Sequence, residues 1–390
     1  ELQEEPIDIY ISSSWLDPHW MWDIVDNAYD SMLKGQGGCL LAFDESITLK
    51  HNIRTQRQMQ KEKKKQDPIT WQLEFLNTRL KENQSAFFTY LMLQQNQSIK
   101  RPFYPRTMID VRMNKKNPYD IPKQNNEVRI LACDMAFVEN KKNDNSIFTC
   151  MRLLPDFMTY TRDSDNEVKM SNGYRRLVPY IESIQGGDTV KQALRIRQLF
   201  DDFNADYIVL DMRNAGISVY DMLAREIYDD ERNIYYSPLC CMNDDAVANR
   251  IKIEGANPCI FVINASQKLN SDIALEFRRT LTEKRIEFLV NYETAKEETL
   301  PRIKEYMSTP DADEQAFYEA PFFETQALIS ESTSLVYEKK SDTGVIVIHE
   351  QGNNRKDRYT SCSYGNYFAS LIERENIAPG EDYEYGTFIN

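Results

Sequence analysis

The chain has 390 residues, more than the ~100–200 of an ordinary domain and suited to two or three. A composition that is 41% hydrophobic and 11% aromatic, with only 13 Gly and 15 Pro, excludes disordered and fibrous classes. The formal net charge of −14 argues on its face against a partner as acidic as nucleic acid. The charge is unevenly spread, however: residues 1–50 carry −8, residues 51–120 carry +8 and residues 121–390 carry −14. Such segregation suits segments with different tasks. No run approaches the ~18–20 apolar residues of a membrane helix, and no charged-then-apolar leader is present, so a soluble protein with no membrane partner is expected. Seven cysteines without a CxxC, and three histidines in all, argue against a disulfide framework and a structural zinc.

In chain order, the apolar run from Ile7 to Ile11 predicts a strand ending in Ser12, Ser13 and Ser14. Trp22, Val25, Tyr29 and Leu33, spaced by three and four, predict an amphipathic helix within Trp15–Leu33. A Gly-rich turn then leads to a second strand-like run, Cys39 to Phe43. Residues 51–65 hold six basic residues and one acid and suit a loop or a solvated helix end, while 71–80 is helical in pattern. Residues 100–116 have six basic residues and little periodicity; they are read as a linker, with the domain boundary near 117–126. Beyond it, strands are expected at Val128–Val138, Ser146–Leu154 and Arg176–Ile184, a helix after Asp188, and a buried strand at Tyr207–Leu210. Three strands in hairpin order and then a helical crossover into a buried strand describe an α/β fold with a mixed sheet. A further strand (Pro258–Asn264), a helix (Asp272–Leu281), helical stretches in 293–325, a hairpin within 333–350 and a helix over Asp357–Glu373 complete the expectation.

Chemistry is sought first where carboxylates interrupt apolar strands, because an ionised acid withdrawn from water needs compensation. Asp134 sits in ILACDMAFV and Asp211 ends YIVLD, at a strand's carboxyl end, where α/β sheets collect ligands. Taken singly, each equally suits a strand-end Asp that bonds a turn amide, and Asp357 in NNRKDR suits a helix N-cap. Asp144 fits a turn better than a site, and Gly216 serves either close backbone approach or the start of a helix. Lys356 and Arg358 flank Asp357 and could hold a phosphate or be solvated; His349 is a weak candidate on the hairpin.

With ILACDMAF, the turn Asn143-Asp144-Asn145-Ser146, YIVLDMRNAGISVYDML and RKDRYTS on the page, residues 128–374 resemble the large subunit of tailed-bacteriophage (or herpesvirus-type) DNA-packaging terminases. The resemblance implies an RNase H-like nuclease domain over 121–390. In it Asp134, Asp211 and Asp357 would be the metal-binding catalytic acids, with Asp144, Gly216, Lys356 and Arg358 as supporting or substrate candidates. Hard cations such as Mg²⁺ or Mn²⁺ choose carboxylate oxygens, and two ions ~3.5–4 Å apart would serve phosphodiester hydrolysis.

Residues 1–120 resemble the later part of the terminase motor, a P-loop ATPase-type α/β domain, followed by a linker. Ser12, Ser13 and Ser14 would couple nucleotide state to movement. No GxxxxGK[ST] loop occurs, so ATP would be bound only in a complete motor, and hydrolysis by this chain alone is not expected. CLLAFDE at Cys39–Glu45 has the form of a Walker B strand, but it follows the serine loop. The family further implies cutting of concatemeric double-stranded viral DNA in the host cytoplasm. Its partners would be a portal protein and a terminase small subunit, with a ring of copies on the portal. Residues 51–65 and 100–116 could follow DNA phosphates or merely be solvated. Two other readings stay open: an RNase H-like resolvase or transposase, and a non-catalytic assembly subunit.

Overall fold

The computed structural model describes residues 8–12, 14, 16–17, 20–63, 71–81, 86–107, 110–111, 119–136, 145–162, 168–185, 187–213, 215–308, 311–340, 345–350 and 355–377. The chain divides into two compact units, residues 1–94 and 95–390.

In the first unit, β1 (Leu16–Asp17) is followed by α1 (Trp20–Leu33), α2 (Glu45–Lys50) and α3 (Gln56–Lys63). A π-helical turn at Trp71–Phe75, β2 (Leu80–Lys81) and α4 (Tyr90–Gln94) complete it. Asp44 caps α2 by accepting from the Ser46 N–H. Within the basic stretch, Gln56–Lys63 form the polar helix α3, in which Met59 is buried. Among the described residues neither apolar run expected as a strand forms one: Ile9 and Ile11 are 80% and 95% exposed, and Leu41 and Phe43 are 71% and 61% exposed, while Ile7 lies outside them. A strand is stable only in a ladder, and the ladder this unit offers among the described residues is the two-residue parallel pair of β1 with β2. Among its described residues the unit shows helices and one short strand pair.

The second unit is built on an eight-stranded mixed sheet. Its strands begin with β3 (Gln97–Ile99), β4 (Val128–Asp134), β5 (Asn145–Arg162) and β6 (Val168–Gln185). After α5 (Thr189–Asp202) come β7 (Tyr207–Asp211), α6 (Gly216–Leu223), the small β8–β9 hairpin (Ile227–Asp229, Ile234–Tyr236) and β10 (Leu239–Cys241). Helix α7 (Asp245–Ala248), β11 (Asn257–Ile263), α8 (Gln267–Thr282) and β12 (Ile286–Leu289) follow. The chain ends with α9 (Tyr292–Glu298), α10 (Lys304–Ser308), α11 (Ala312–Ser334), the hairpin β13 (Leu335–Lys339) and β14 (Ile346–Glu350), and α12 (Asp357–Ile377).

Across the sheet the order is β10-β11-β7-β4-β5-β6-β12-β3. Strands β4, β5 and β6 are antiparallel neighbours, whereas β7 returns parallel to β4 on its other side and β11 lies parallel to β7. This is the RNase H-like order, a three-stranded meander with parallel strands added beyond its first strand.

Residues 97–107 belong to this unit, earlier in the chain than the boundary expected near 117–126. Strand β3 pairs with β12 at the sheet edge, and Phe103 packs edge-on against Tyr180 and Phe203 in the core. The polar, basic surroundings of Phe103 and Tyr104 made a buried segment read as a linker.

Alternation along the strands sorts two faces. Leu131, Cys133, Ile208 and Leu210 join Ala193, Ile196 and Leu199 of α5 and Val219, Tyr220 and Leu223 of α6 in one apolar core. The opposite face, carrying Ala132, is covered by α12: Ser361 donates to the Ala132 carbonyl and bonds the Thr149 hydroxyl. Farther along α12, the buried Arg176 guanidinium of β6 bonds Asn366, Ser370 and Glu373. Beneath β4, Glu127 bridges the buried Arg129 and Arg152. Burial pushes the Glu127 carboxyl up, but Arg152, the Gln124 N–H and Arg129 outweigh it and bring it down to about 2.

Candidate active site

Two parallel strands end together. Cys133 of β4 is in register with Leu210 of β7, so the next residues, Asp134 and Asp211, lie side by side at the carboxyl edge. By alternation both side chains share the face of Ala132, over which α12 runs, and not the core face of Cys133 and Leu210. Asp357 opens α12 on that same face.

The start of α12 is fixed from α11. The Glu331 carboxylate accepts from the backbone N–H groups of Arg358 (2.8 Å) and Tyr359 (3.3 Å), so it caps the helix, the task that Asp357 suited from sequence. The Arg358 guanidinium bonds Glu324 (2.5 Å) and Glu331 (2.6 Å), and its side chain is 13% exposed. Of the two cations flanking Asp357, Arg358 therefore ties α12 to α11. Lys356 pairs with Glu350 at 2.7 Å and faces a cavity next to the acids.

Electrostatics couples the three acids. Burial raises the Asp134 carboxyl well above its ordinary range, and the charges of Asp211 and Asp357 raise it further, against the opposing pull of Arg213 and Lys356. Asp211 is 4% exposed and held by one residue: the Arg213 N–H reaches Oδ1 at 3.0 Å, Nε reaches Oδ1 at 3.1 Å and Oδ2 at 3.2 Å, and Nη2 reaches Oδ2 at 2.8 Å. Nη2 also donates to the Tyr364 hydroxyl at 2.6 Å. Among the described residues, no three acidic, His or Cys side chains close into a ligand group. Three like charges repel, and a guanidinium already answers one of them.

The donor set nevertheless suits a hard divalent cation. It consists of carboxylates from two strand ends and a helix start, one of them destabilised as an anion by its neighbours. Asp134, Asp211 and Asp357 are the residues that would hold such an ion.

Gly216 begins α6, and its role is steric. A Cβ placed there would lie 1.7 Å from the Asp211 carbonyl oxygen, so the turn carrying Asp211 closes only on glycine. Asp144 and Ser13 lie outside the described residues. Ser14 is buried and donates to Asn77, whereas Ser12 is exposed. His349 is half-exposed on β14, 3.8 Å from Glu338.

Arg213, Tyr364 and Ser361 are site residues that the motif reading missed. Ser361, Tyr364 and Gly365 follow Asp357 by four, seven and eight positions, one helical face, and this spacing was the signal available for them. Gly365 lets α12 approach β4, since a Cβ there would meet the Ala132 Cβ at 3.1 Å.

No protein-family model and no curated protein matches the chain. Solved structures of phage large terminases are similar to it. The large terminase nuclease of thermophilic phage G20c with bound magnesium is 12% identical, over 73% of this chain and 98% of that one, with a TM-score of 0.37. The nuclease domain of the large terminase of Thermus phage P74-26 is 12% identical, over 71% and 92%, with a TM-score of 0.36. The HK97 bacteriophage large terminase is 10% identical, over 90% of this chain and 61% of that one, with a TM-score of 0.31.

Proposed function

We propose that the chain is a divalent-metal-dependent endodeoxyribonuclease, the cutting part of a viral DNA-packaging terminase. One observation carries the proposal: Asp134 and Asp211 end in-register parallel strands of an RNase H-like sheet, beneath a helix that starts with Asp357. A bound Mg²⁺ or Mn²⁺ would supply Lewis acidity toward a phosphodiester and lower the pKa of a bound water. The protein contributes the three carboxylates, held by strand ends and by a helix capped from Glu331. It also contributes burial, which strengthens each charge interaction. Tyr364 and Arg213 fix the orientation of Asp211.

The packaging context, with its DNA, portal, small-subunit and ring partners, comes from the sequence resemblance, as does a motor that would need ATP bound outside this chain. The acidic total of the second unit does not oppose a DNA substrate, because the cations that would meet phosphate lie locally at Arg213 and Lys356.

Asp211→Asn keeps the shape of the side chain while removing the charge. It is expected to lower Mg²⁺- or Mn²⁺-dependent plasmid cleavage by at least ~10³-fold with the melting curve preserved, read by gel and calorimetry. Cutting at the native rate by the folded variant would exclude the assignment.

A further inference from the structure

Arg213 answers the carboxylate that a metal would need. Its guanidinium spans both oxygens of Asp211 while the Asp211 side chain itself is 5% exposed. The Arg213 side chain is 43% exposed and forms part of the wall of a cavity of about 280 Å³. The remaining polar wall comprises Lys356, Gln267, Asn270, Thr360 and Ser363, with Tyr364; among the described residues no carboxylate lines it. The cavity thus offers two cations, amides and hydroxyls on the side of Arg213 that faces solvent. That chemistry suits a phosphodiester, and a planar fork serves carboxylate and phosphate alike.

We propose that Arg213 is an exchangeable counter-ion: it neutralises Asp211 until a divalent cation displaces it, and it then binds a phosphodiester of the nucleic-acid strand in the adjoining cavity. The proposal rests on the nuclease reading above. It has a thermodynamic consequence. A cation arriving alone must break a charge-assisted pair on a buried carboxylate and leave the guanidinium to water alone, whereas a strand phosphate offers it a charged partner. Cation and DNA therefore bind cooperatively, and by linkage each tightens the other by the same factor. Tyr364, which accepts from Arg213 and lies within 3.5 Å of Asn270 Oδ1, stands at the junction of the two positions.

Ca²⁺ titrated by calorimetry into the full chain, with and without a short DNA duplex whose integrity is checked on a gel, tests this. Arg213→Gln is expected to bind Ca²⁺ on the order of tenfold tighter than the native chain without DNA, the factor of one modest charge-assisted contact. The duplex is expected to tighten Ca²⁺ binding by the native chain but not by Arg213→Gln. Equal Ca²⁺ affinity in the two proteins overturns the counter-ion role, and coupling to DNA that survives in Arg213→Gln overturns the exchange. Asp211→Asn separates the layers. If it loses Ca²⁺ binding while Arg213→Gln gains nothing, only the counter-ion proposal falls; if it binds Ca²⁺ like the native chain, or the native chain binds none, the metal-site reading falls as well. Should Arg213→Gln not fold, Arg213→Lys, which keeps the charge without the fork, is expected to show the same changes at smaller size; native-like binding and coupling in it overturn the proposal.

Discussion

Asp134 occupies a position where its own charge is disfavoured: it is partly buried, flanked by Asp211 and Asp357, and only partly relieved by Arg213 and Lys356. A carboxyl whose pKa is raised on folding binds its proton more tightly in the native state. Stability is then greatest at pH values below the ordinary carboxylate range, ~4, and falls as pH rises from there through the raised native value. Asp134→Asn removes this penalty. In the presence of a chelator at neutral pH the variant is expected to melt higher than the native chain, at about 2–4 °C per kcal/mol recovered, with the difference vanishing toward pH 3–4. Divalent ions should stabilise the native chain and leave the variant unmoved. Calorimetric melts across pH, with and without Mn²⁺, read both effects, and a variant less stable than the native chain at neutral pH would refute the account. At this scale the site was half legible. Asp134 and Asp211 each interrupt an apolar run, a pattern visible without coordinates. Arg213 could not be distinguished from any solvated arginine, because its meaning lies in spanning both Asp211 oxygens, and two-residue spacing does not encode that. Arg358 was misjudged for the converse reason: its partners, Glu324 and Glu331, lie on another helix.

Three elements hold the acids, and each does so through a backbone condition. Strands β4 and β7 align Asp134 with Asp211 by register, Glu331 on α11 caps α12, and Gly216 permits the turn from β7 into α6. The last condition is the strictest, because the atom that a methyl group would strike, at 1.7 Å, is the backbone oxygen of Asp211 itself. Gly216→Ala must therefore move the turn, the helix or the acid. It is expected to cost on the order of 3 kcal/mol or more and to reduce metal-dependent cleavage even where the fold survives. Denaturant melts beside a cleavage assay check this, and a neutral substitution would mean the turn is looser than its geometry. Element types were readable where periodicity was long or burial complete. The apolar face Val190, Leu194, Leu199, Phe200, Phe203 predicts a helix beginning at Asp188, which in the structure caps α5, and YIVLD predicts β7. β3 and β12 escaped notice because three and four residues, QSI and IEFL, carry too little pattern to show a strand. The opposite error befell Ile7–Ile11 and Cys39–Phe43, which have the pattern of strands but no sheet to join among the described residues.

At the scale of the molecule, the division into units decides which stretch of chain the candidate nuclease needs. Composition placed residues 100–116 outside it, yet Phe103 and Tyr104 are fully buried in the second unit and β3 closes the sheet edge on β12. Tyr104 in particular anchors a separate cluster with Leu289, Val290, Leu300 and Phe322, and its hydroxyl donates to the Tyr318 carbonyl at 2.7 Å. Removing a buried aromatic costs ~3–5 kcal/mol, and removing two, together with an edge strand, approaches the whole stability of a domain. A fragment of residues 95–390 is therefore expected to melt in one cooperative transition and to retain any metal-dependent nuclease activity of the full chain. A fragment of residues 121–390 is expected to melt at least ~10 °C lower or to fail to fold, because Phe203, Tyr180 and Phe322 lose the rings that cover them. Scanning calorimetry of the two fragments distinguishes a linker from a core segment. If the shorter fragment melted with the longer one, residues 95–120 would be dispensable and the boundary would return to the position that composition suggests.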